Sequence, residues 1–383
     1  MSRTIKFAQA GGPEVLEFIE MEVPAPGPNE VRIKVKAIGI NRADSMWRND
    51  KYVESPIFPA GLGYDAAGIV DAVGKDVADF AIGDAVSTIP AFSLNKYFAY
   101  GEVILAPDHA VVKHPESLSF VEAASVWMMF ITAYGALVFD ARVKAGDFVI
   151  IPAASSSVGL AAIQIAKYAG ATPIALTRSS EKRTRLHEAG AAHVVATQEQ
   201  DMVAEVMRIT SGNGARVAFD PVGGPDFPKL IAGLTNQGIA YIYGAPSEGD
   251  TPMPVLEMIR KMPTVKGYSI RLVTAEGMTD FYPPPTQIEV GFGVTSSHSR
   301  RFRGDQAKAG PVRISLLSRV REIGSLENLR SSCCSRPSTI PQRVQSAFVV
   351  TLDAISHELG AGIHRCQLPP VMADPEAWQR PPA

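Results

Sequence analysis

The stretch Phe148–Thr177, FVIIPAASSSVGLAAIQIAKYAGATPIALT, carries three consecutive serines in a tight turn between an apolar strand and a long apolar helix. In such a strand–turn–helix unit, backbone N–H groups and the positive end of the helix converge on one point, which suits a pyrophosphate. Set against the G-x-G-x-x-G pattern of a dinucleotide turn, the three glycine slots fall at Ala154, Ser156 and Gly159. Only the third is glycine, the slot where helix and strand pack most closely. Alanine and serine are the smallest replacements at the other two. The hydroxyls of Ser155, Ser156 and Ser157 can donate to phosphate oxygens, and Val158 leads into the helix. Alone, the turn also fits an ordinary strand–helix connection.

The next strand ends in ALTRSSEKR. Dinucleotide folds that prefer NAD place an acid near this strand end, accepting from the ribose 2′-OH. Here the strand end is Thr177, followed by Arg178, Ser179, Ser180, Lys182 and Arg183. Hydroxyls and cations bind a 2′-phosphate, which an acid would repel. The expected cofactor is therefore NADPH. Against this, Lys182, Arg183 and Arg185 also fit a solvated helix face, and Glu181 opposes them in charge. Further on, Val222, Gly223 and Gly224 follow a fourth strand, where glycine permits close backbone approach to a ligand. Tyr243 and Gly244 end a fifth, at the edge where ligands bind in parallel sheets.

These residues need a sheet to hold them. Short apolar strands at 148–151, 172–176, 193–195, 216–219, 238–243 and 264–268 alternate with amphipathic helices. That alternation implies a parallel sheet covered on both faces, and six strands make a complete dinucleotide-binding sheet. A preceding helix is expected from SFVEAASVWMMFITAYGALV, with Ser119 as N-cap and Glu122 at the capping-box position. Before it, EVRIKVKAIGI, AAGIVDAVG and GDAVSTI read as strands between Gly- and Pro-rich turns, a mostly β domain.

The 383-residue chain has globular composition, 46% hydrophobic and 20% charged. A net charge of −2 gives no general attraction to nucleic acid or membrane. The N-terminus lacks an apolar signal core. The longest apolar helix expected, VGLAAIQIAKYAGA, is too short for a bilayer. A cytoplasmic protein is expected. All three cysteines, Cys333, Cys334 and Cys366, lie late in the chain, so residues 1–332 offer no thiolate for zinc. His109 and His114 flank AVVK and read as turn or surface residues.

The last hundred residues differ. Residues 1–280 hold 25 Lys plus Arg against 31 Asp plus Glu, and 281–383 hold 12 against 8. The tail has eleven arginines and one lysine, Lys308, whereas the earlier part has twelve arginines and thirteen lysines. Hydrophobic periodicity fades there.

PGPNEVRIKVKAIGINRADSMWRNDKY and FPAGLGYDAAGIVDAVGKDVADFAIGDAV, with AASVWMMFITAYGAL, AASSSVGLAAIQIAK and ARVAFDPVGGP, resemble the medium-chain dehydrogenase/reductase superfamily over residues 5–275. The nearest branch in pattern is the zinc-independent quinone oxidoreductase type. The resemblance implies an α/β architecture in which a GroES-like β domain (1–118) packs on a Rossmann domain (119–280) with a doubly wound parallel sheet, followed by an atypical C-terminal tail (281–383). It also implies a homodimer formed through the edge of the Rossmann sheet. After Asp280 the family's last helix and closing GKIVV-type strand are not recognisable. The tail reads as disordered, as a replaced terminus, or as translation of a shifted reading frame, which would leave the β domain without its closing segments.

Zinc-dependent relatives place a Cys after the GIN strand and a His in a Gly-His-Glu stretch. The matching places here hold Asn41 to Asp44, and Tyr64 with Asp65. No metal is expected. Without a Lewis acid, hydride transfer to a quinone or an α,β-unsaturated carbonyl stays available, because the electron sink lies in the substrate. The resemblance implies Asn41 as donor to the substrate oxygen or ribose, unless it is a plain turn residue. Tyr52 is a second donor candidate, or an exposed loop tyrosine. Tyr64 takes the place of the lost ligand and either acts or fills space. Asp44 orients the loop. Thr132 packs near the nicotinamide, or is a helix threonine bonded back to a carbonyl. No Ser-His-Asp or paired-carboxylate constellation competes. The alternatives are a catalytically impaired relative that binds nucleotide only, and a zinc-free enoyl-thioester reductase.

Overall fold

The computed structural model describes residues 1–247, 249–270 and the backbone of the strand Phe348–Thr351. Strict alternation in EVRIKVKAIGI decides the front half: Val31, Ile33 and Val35 are buried, and Lys34 and Lys36 are exposed. The strands there are β1 (Ser2–Phe7), β2 (Glu17–Met21), β3 (Glu30–Ile40), β4 (Ala60–Gly61), β5 (Asp65–Val73), β6 (Ala85–Thr88), β7 (Val103–Pro107) and β8 (Val111–Lys113), with the short helix α1 (Arg42–Arg48) after β3. They form antiparallel sheets in the orders β2-β1-β4 and β3-β5-β6-β8, with β7 also pairing β3.

The helix α2 (Phe120–Tyr134) starts as expected. The Ser119 side chain accepts from the Glu122 N–H, and Glu122 reaches back to the Ser119 N–H. It runs on through a π-helical turn, Gly135–Asp140. Contrary to the sequence reading, this 21-residue element, not the one at 158–171, is the longest apolar helix, and it is long and apolar enough to cross a bilayer. Its most apolar window is 78% buried in the fold, because α2 packs on β3 and β5 on one side and on the next helix of the chain on the other. At its end Asp140 accepts from Lys266 Nζ at 2.7 and 2.8 Å and from the Tyr241 hydroxyl at 2.6 Å.

The second half alternates β9 (Phe148–Ile151), α3 (Ser157–Tyr168), β10 (Thr172–Thr177), α4 (Arg183–Glu188), β11 (His193–Ala196), α5 (Met202–Ile209), β12 (Ala215–Asp220), α6 (Phe227–Gly233), β13 (Leu234–Ile242), α7 (Val255–Lys261) and β14 (Thr264–Gly267). All pairings are parallel, in the order β11-β10-β9-β12-β13-β14. Every strand expected from sequence is present. Val149, Ile150 and Ile151 are fully buried, each worth roughly 1.5–3 kcal/mol of transfer free energy. The strand order reverses between β9 and β12, which opens a crevice at their carboxyl ends.

Two further readings change. His114 is buried, not a surface residue: its Nδ1 lies 3.0 Å from the Ser87 hydroxyl, and its ring meets Phe120 edge-on. In the tail, β15 (Phe348–Thr351) lies antiparallel to β3, with Phe348 opposite Ile40 and Thr351 opposite Ala37. A short β-branched run therefore extends the front sheet at its β3 edge, so one strand of the tail does join this fold. The remaining readings of the tail lie outside the described residues.

Candidate active site

At the carboxyl end of β9 the chain turns through Ala153, which has φ +45°. The Ala154 N–H donates to the Leu176 carbonyl at 3.1 Å, tying the turn to β10. Ser156 is the N-cap of α3, and its hydroxyl oxygen accepts from the Gly159 N–H at 3.1 Å. Its hydroxyl hydrogen remains to donate. Ser157 and Val158 open the helix, where N–H groups have no intrahelical acceptor. Gly159 is required by space: a Cβ there would lie 2.7 Å from the Ala153 carbonyl oxygen, the Ala154 Cα and the Ala154 carbonyl oxygen.

The end of β10 lies beside this turn. Thr177 is buried and its carbonyl accepts from the Thr197 N–H at 2.8 Å. Arg178 is exposed, and Ser179 precedes a one-turn 3₁₀ helix, Ser180–Lys182. Lys182 folds back so that its Nζ donates to the Ser155 hydroxyl at 3.2 Å. Partial burial, then the charges of Arg178 and Arg185, hold the Lys182 ammonium below its usual range, with Glu181 opposing. Arg183 departs from the solvated-face reading. It donates to the Val194 carbonyl at 2.8 Å and to Gln200 Oε1 at 3.3 Å, bracing the loop.

The other carboxyl-end loops join the same edge. Asp220, fully buried at the end of β12, accepts from the N–H groups of Val222 at 2.8 Å and Gly223 at 2.9 Å. Burial pushes its carboxyl up, and those two donors pull against the shift. Gly223 has φ +65°, a left-handed conformation that glycine adopts without strain. Tyr243 and Gly244 follow β13. The Tyr243 ring stacks on Phe219 at 4.1 Å, and its hydroxyl is buried with no partner among the described residues.

On the front side, Asn41 caps α1 at the end of β3. Its Nδ2 donates to Asp65 Oδ2 at 2.9 Å, and its backbone N–H donates to Asp44 Oδ2 at 2.6 Å. Asp44 also accepts from the Tyr100 hydroxyl at 2.8 Å. Burial pushes Asp44 up to about 6. Burial, with the Asp44 charge adding to it, pushes Asp65 up to about 8. This is a paired-carboxylate cluster that the sequence did not reveal, because the two acids are 21 positions apart and meet only through the β3–β5 register. Asp44 does orient the loop, through the Asn41 backbone. Tyr64 is buried, its ring 5.3 Å from Phe92 and 6.3 Å from the half-exposed Tyr52. Phe92 packs against both the front core and the sheet core, so this aromatic row marks the junction of the two halves. Thr132, also buried, donates to the Met128 carbonyl at 2.5 Å, the back-bonded alternative. Among the described residues no group of three His, Cys, Asp or Glu side chains is placed to hold a metal.

The alcohol dehydrogenase GroES-like domain family matches residues 27–116, and the zinc-binding dehydrogenase family matches residues 157–281. The human protein named quinone oxidoreductase is 31% identical over 277 residues, 72% of this chain and 82% of that protein. The structure of Escherichia coli quinone oxidoreductase, complexed with NADPH, is 32% identical with a TM-score of 0.63, covering 70% of this chain and 81% of that one. A mycobacterial protein, also complexed with NADPH, is 28% identical with a TM-score of 0.64, covering 72% of this chain and 83% of that one. A capped serine turn on a six-stranded parallel sheet, behind a front β domain of matching sequence, makes this chain an oxidoreductase that belongs to the quinone oxidoreductase-like branch of the medium-chain dehydrogenase/reductase superfamily.

Proposed function

We propose that this chain uses NADPH to reduce a quinone or an α,β-unsaturated carbonyl compound without a metal. The observation that carries the reading is Lys182, bent onto Ser155 of the phosphate turn and crowded by Arg178 and Arg185 at a strand end that lacks an acid. A cation held below its usual pKa by burial and then by other cations favours an anion, and the ribose 2′-phosphate has that charge. NADPH, when bound, supplies the hydride. The helix N-terminus at Ser157 and the hydroxyls of Ser155 and Ser156 hold the pyrophosphate. The Asp220-braced turn at Val222 and Gly223, with Gly244, gives the ribose and nicotinamide a close backbone surface. Thr132 and Tyr243 support that surface by packing.

The acceptor lies along the row of Tyr52, Tyr64 and Phe92. Hydride arriving on carbon leaves negative charge on the acceptor's oxygen, and the Asn41 amide N–H stabilises it there. Tyr52 is the second donor, and Tyr64 fills the space a metal ligand would take. The working division of the chain is a front domain at 1–118, a Rossmann domain at 119–280 and a tail at 281–383. It works in the cytoplasm as a homodimer. Val255, Leu256 and Ile259 on α7, which packs on β13 next to the edge strand β14, are 65–70% exposed, an apolar face that a second copy would cover. The test is turnover: the purified full chain, mixed with NADPH and a panel of quinones and enals, consumes NADPH. NADPH-dependent thermal stabilisation without turnover on any member supports the binding-only alternative instead.

A further inference from the structure

The Asn41 side chain is held by a residue that motif reading passes over. Asp65 is 2% exposed, and it pairs with Gly39 in the β3–β5 register. One of its oxygens, Oδ2, accepts from Asn41 Nδ2 at 2.9 Å. The other, Oδ1, is buried with no partner among the described residues, and so is Asp44 Oδ1. Two buried acids with an unpartnered oxygen each are costly, and apolar residues would pack at these two positions at lower cost. The Met128 backbone also acts on the Asp65 carboxyl, but the one side chain that hydrogen-bonds it is Asn41, and its role is to be found in that contact.

A primary amide has two ends of nearly the same shape, and a pocket without a polar partner admits either. An accepting oxygen on one side, as Asp65 Oδ2 is when any carboxyl proton sits on Oδ1, admits only the nitrogen. With one amide hydrogen given to Asp65 and the carbonyl oxygen facing the Asp44 N–H in the capping box, a second hydrogen is left for another partner. Asp44 fixes the backbone of the same residue, so side chain and main chain of Asn41 are each fixed by a separate acid. A donor fixed beforehand needs no reorientation when charge develops in front of it.

We propose that Asp65 is a positioning residue: it holds the Asn41 carboxamide nitrogen toward β5, so that the remaining amide N–H is presented to the oxygen of the bound acceptor. This rests on the reading of Asn41 as the donor to that oxygen. The test is a double-mutant cycle on the full chain with Asn41→Ala, Asp65→Asn and the two combined. It measures kcat and KM for a benzoquinone acceptor, with NADPH affinity as the control.

Asn41→Ala lowers kcat about 10²-fold, as losing an oxyanion donor does. Asp65→Asn, whose amide can face Asn41 with either end, lowers kcat about fivefold, the worth of one neutral hydrogen bond, and leaves NADPH affinity unchanged. The combined variant is no slower than Asn41→Ala alone. Equal losses from Asp65→Asn in both backgrounds overturn the inference and leave the Asn41 reading intact. An unaltered kcat in Asn41→Ala overturns both. Asp65→Ala, which offers no partner at all, runs through the same cycle if Asp65→Asn does not fold. Loss of additivity with it supports the proposal, and additivity refutes it.

Discussion

Replacing Lys182 with alanine separates two cofactors that differ by one phosphate. Lys182 Nζ lies 3.2 Å from the Ser155 hydroxyl, and partial burial, with Arg178 and Arg185 adding to it, depresses its pKa. Two unit charges about 4 Å apart attract by about 4 kcal/mol at an effective dielectric of about 20. Lys182 is only partly buried, so solvent screening cuts this to the range of a charge-assisted hydrogen bond, about 2 kcal/mol. At about 1.4 kcal/mol per tenfold, Lys182→Ala raises the Kd of NADPH about 30-fold. NADH lacks the phosphate, and its Kd moves by less than about threefold, the residue of lost packing. Calorimetric titration of both nucleotides at low and high salt reads this directly, and the NADPH effect shrinks as salt rises. An anion beside Lys182 restores its proton affinity. NADPH binding therefore takes up protons and weakens as pH rises through the depressed pKa of the free protein. Equal weakening of NADPH and NADH, or of neither, would refute the placement of the 2′-phosphate at Lys182.

Gly159→Ala forces a methyl into backbone contacts of 2.7 Å. Overpacking of that kind costs about 1–3 kcal/mol, roughly 2–4 °C of Tm for each kcal/mol in a domain of this size. NADPH affinity falls with it, and a variant with unchanged Tm and Kd would tell against the close turn. Asp65 has a folded pKa raised from 3.8 to about 8, so its contribution to stability is fully present below pH 3.8 and is lost as pH rises through 8. Asp44, raised to about 6, has the same sign. Asp65→Asn therefore gains in Tm relative to the parent chain between pH 5.5 and pH 8.5, while a constant difference would mean that Asp65 titrates normally. Leu256→Glu with Ile259→Glu yields a monomer in light scattering where the parent chain is a dimer. A monomeric parent chain would remove the α7 face from the account.

The sheet was legible because each of its strands is a short, near-continuous apolar run whose burial is written into its own residues. The Ser119–Glu122 box and Gly159 were legible for the same reason: capping and close packing are local. Asp65 was visible only as a departure from a metal-ligand pattern. Its role depends on β5 lying next to β3 in one register, which no local pattern encodes. Asp220 was hidden likewise, since a buried acid bonded to the next turn looks in sequence like any acid at a strand end. His114 was misread because a histidine beside AVVK looks exposed until the Ser87 hydroxyl and the Phe120 ring close over it. Phe92 lies far from every motif and matters because two cores meet on it. The tail's composition obscured β15, four residues whose aromatic and β-branched character fits them to the β3 edge.

The most direct test of the account is turnover by metal-free protein. The full chain is purified, treated with a strong chelator and assayed for zinc, and oxidation of NADPH and NADH by a naphthoquinone is then followed by absorbance. The account predicts undiminished turnover without bound zinc and a clear preference for NADPH. Activity that disappears on chelation and returns with zinc would contradict it.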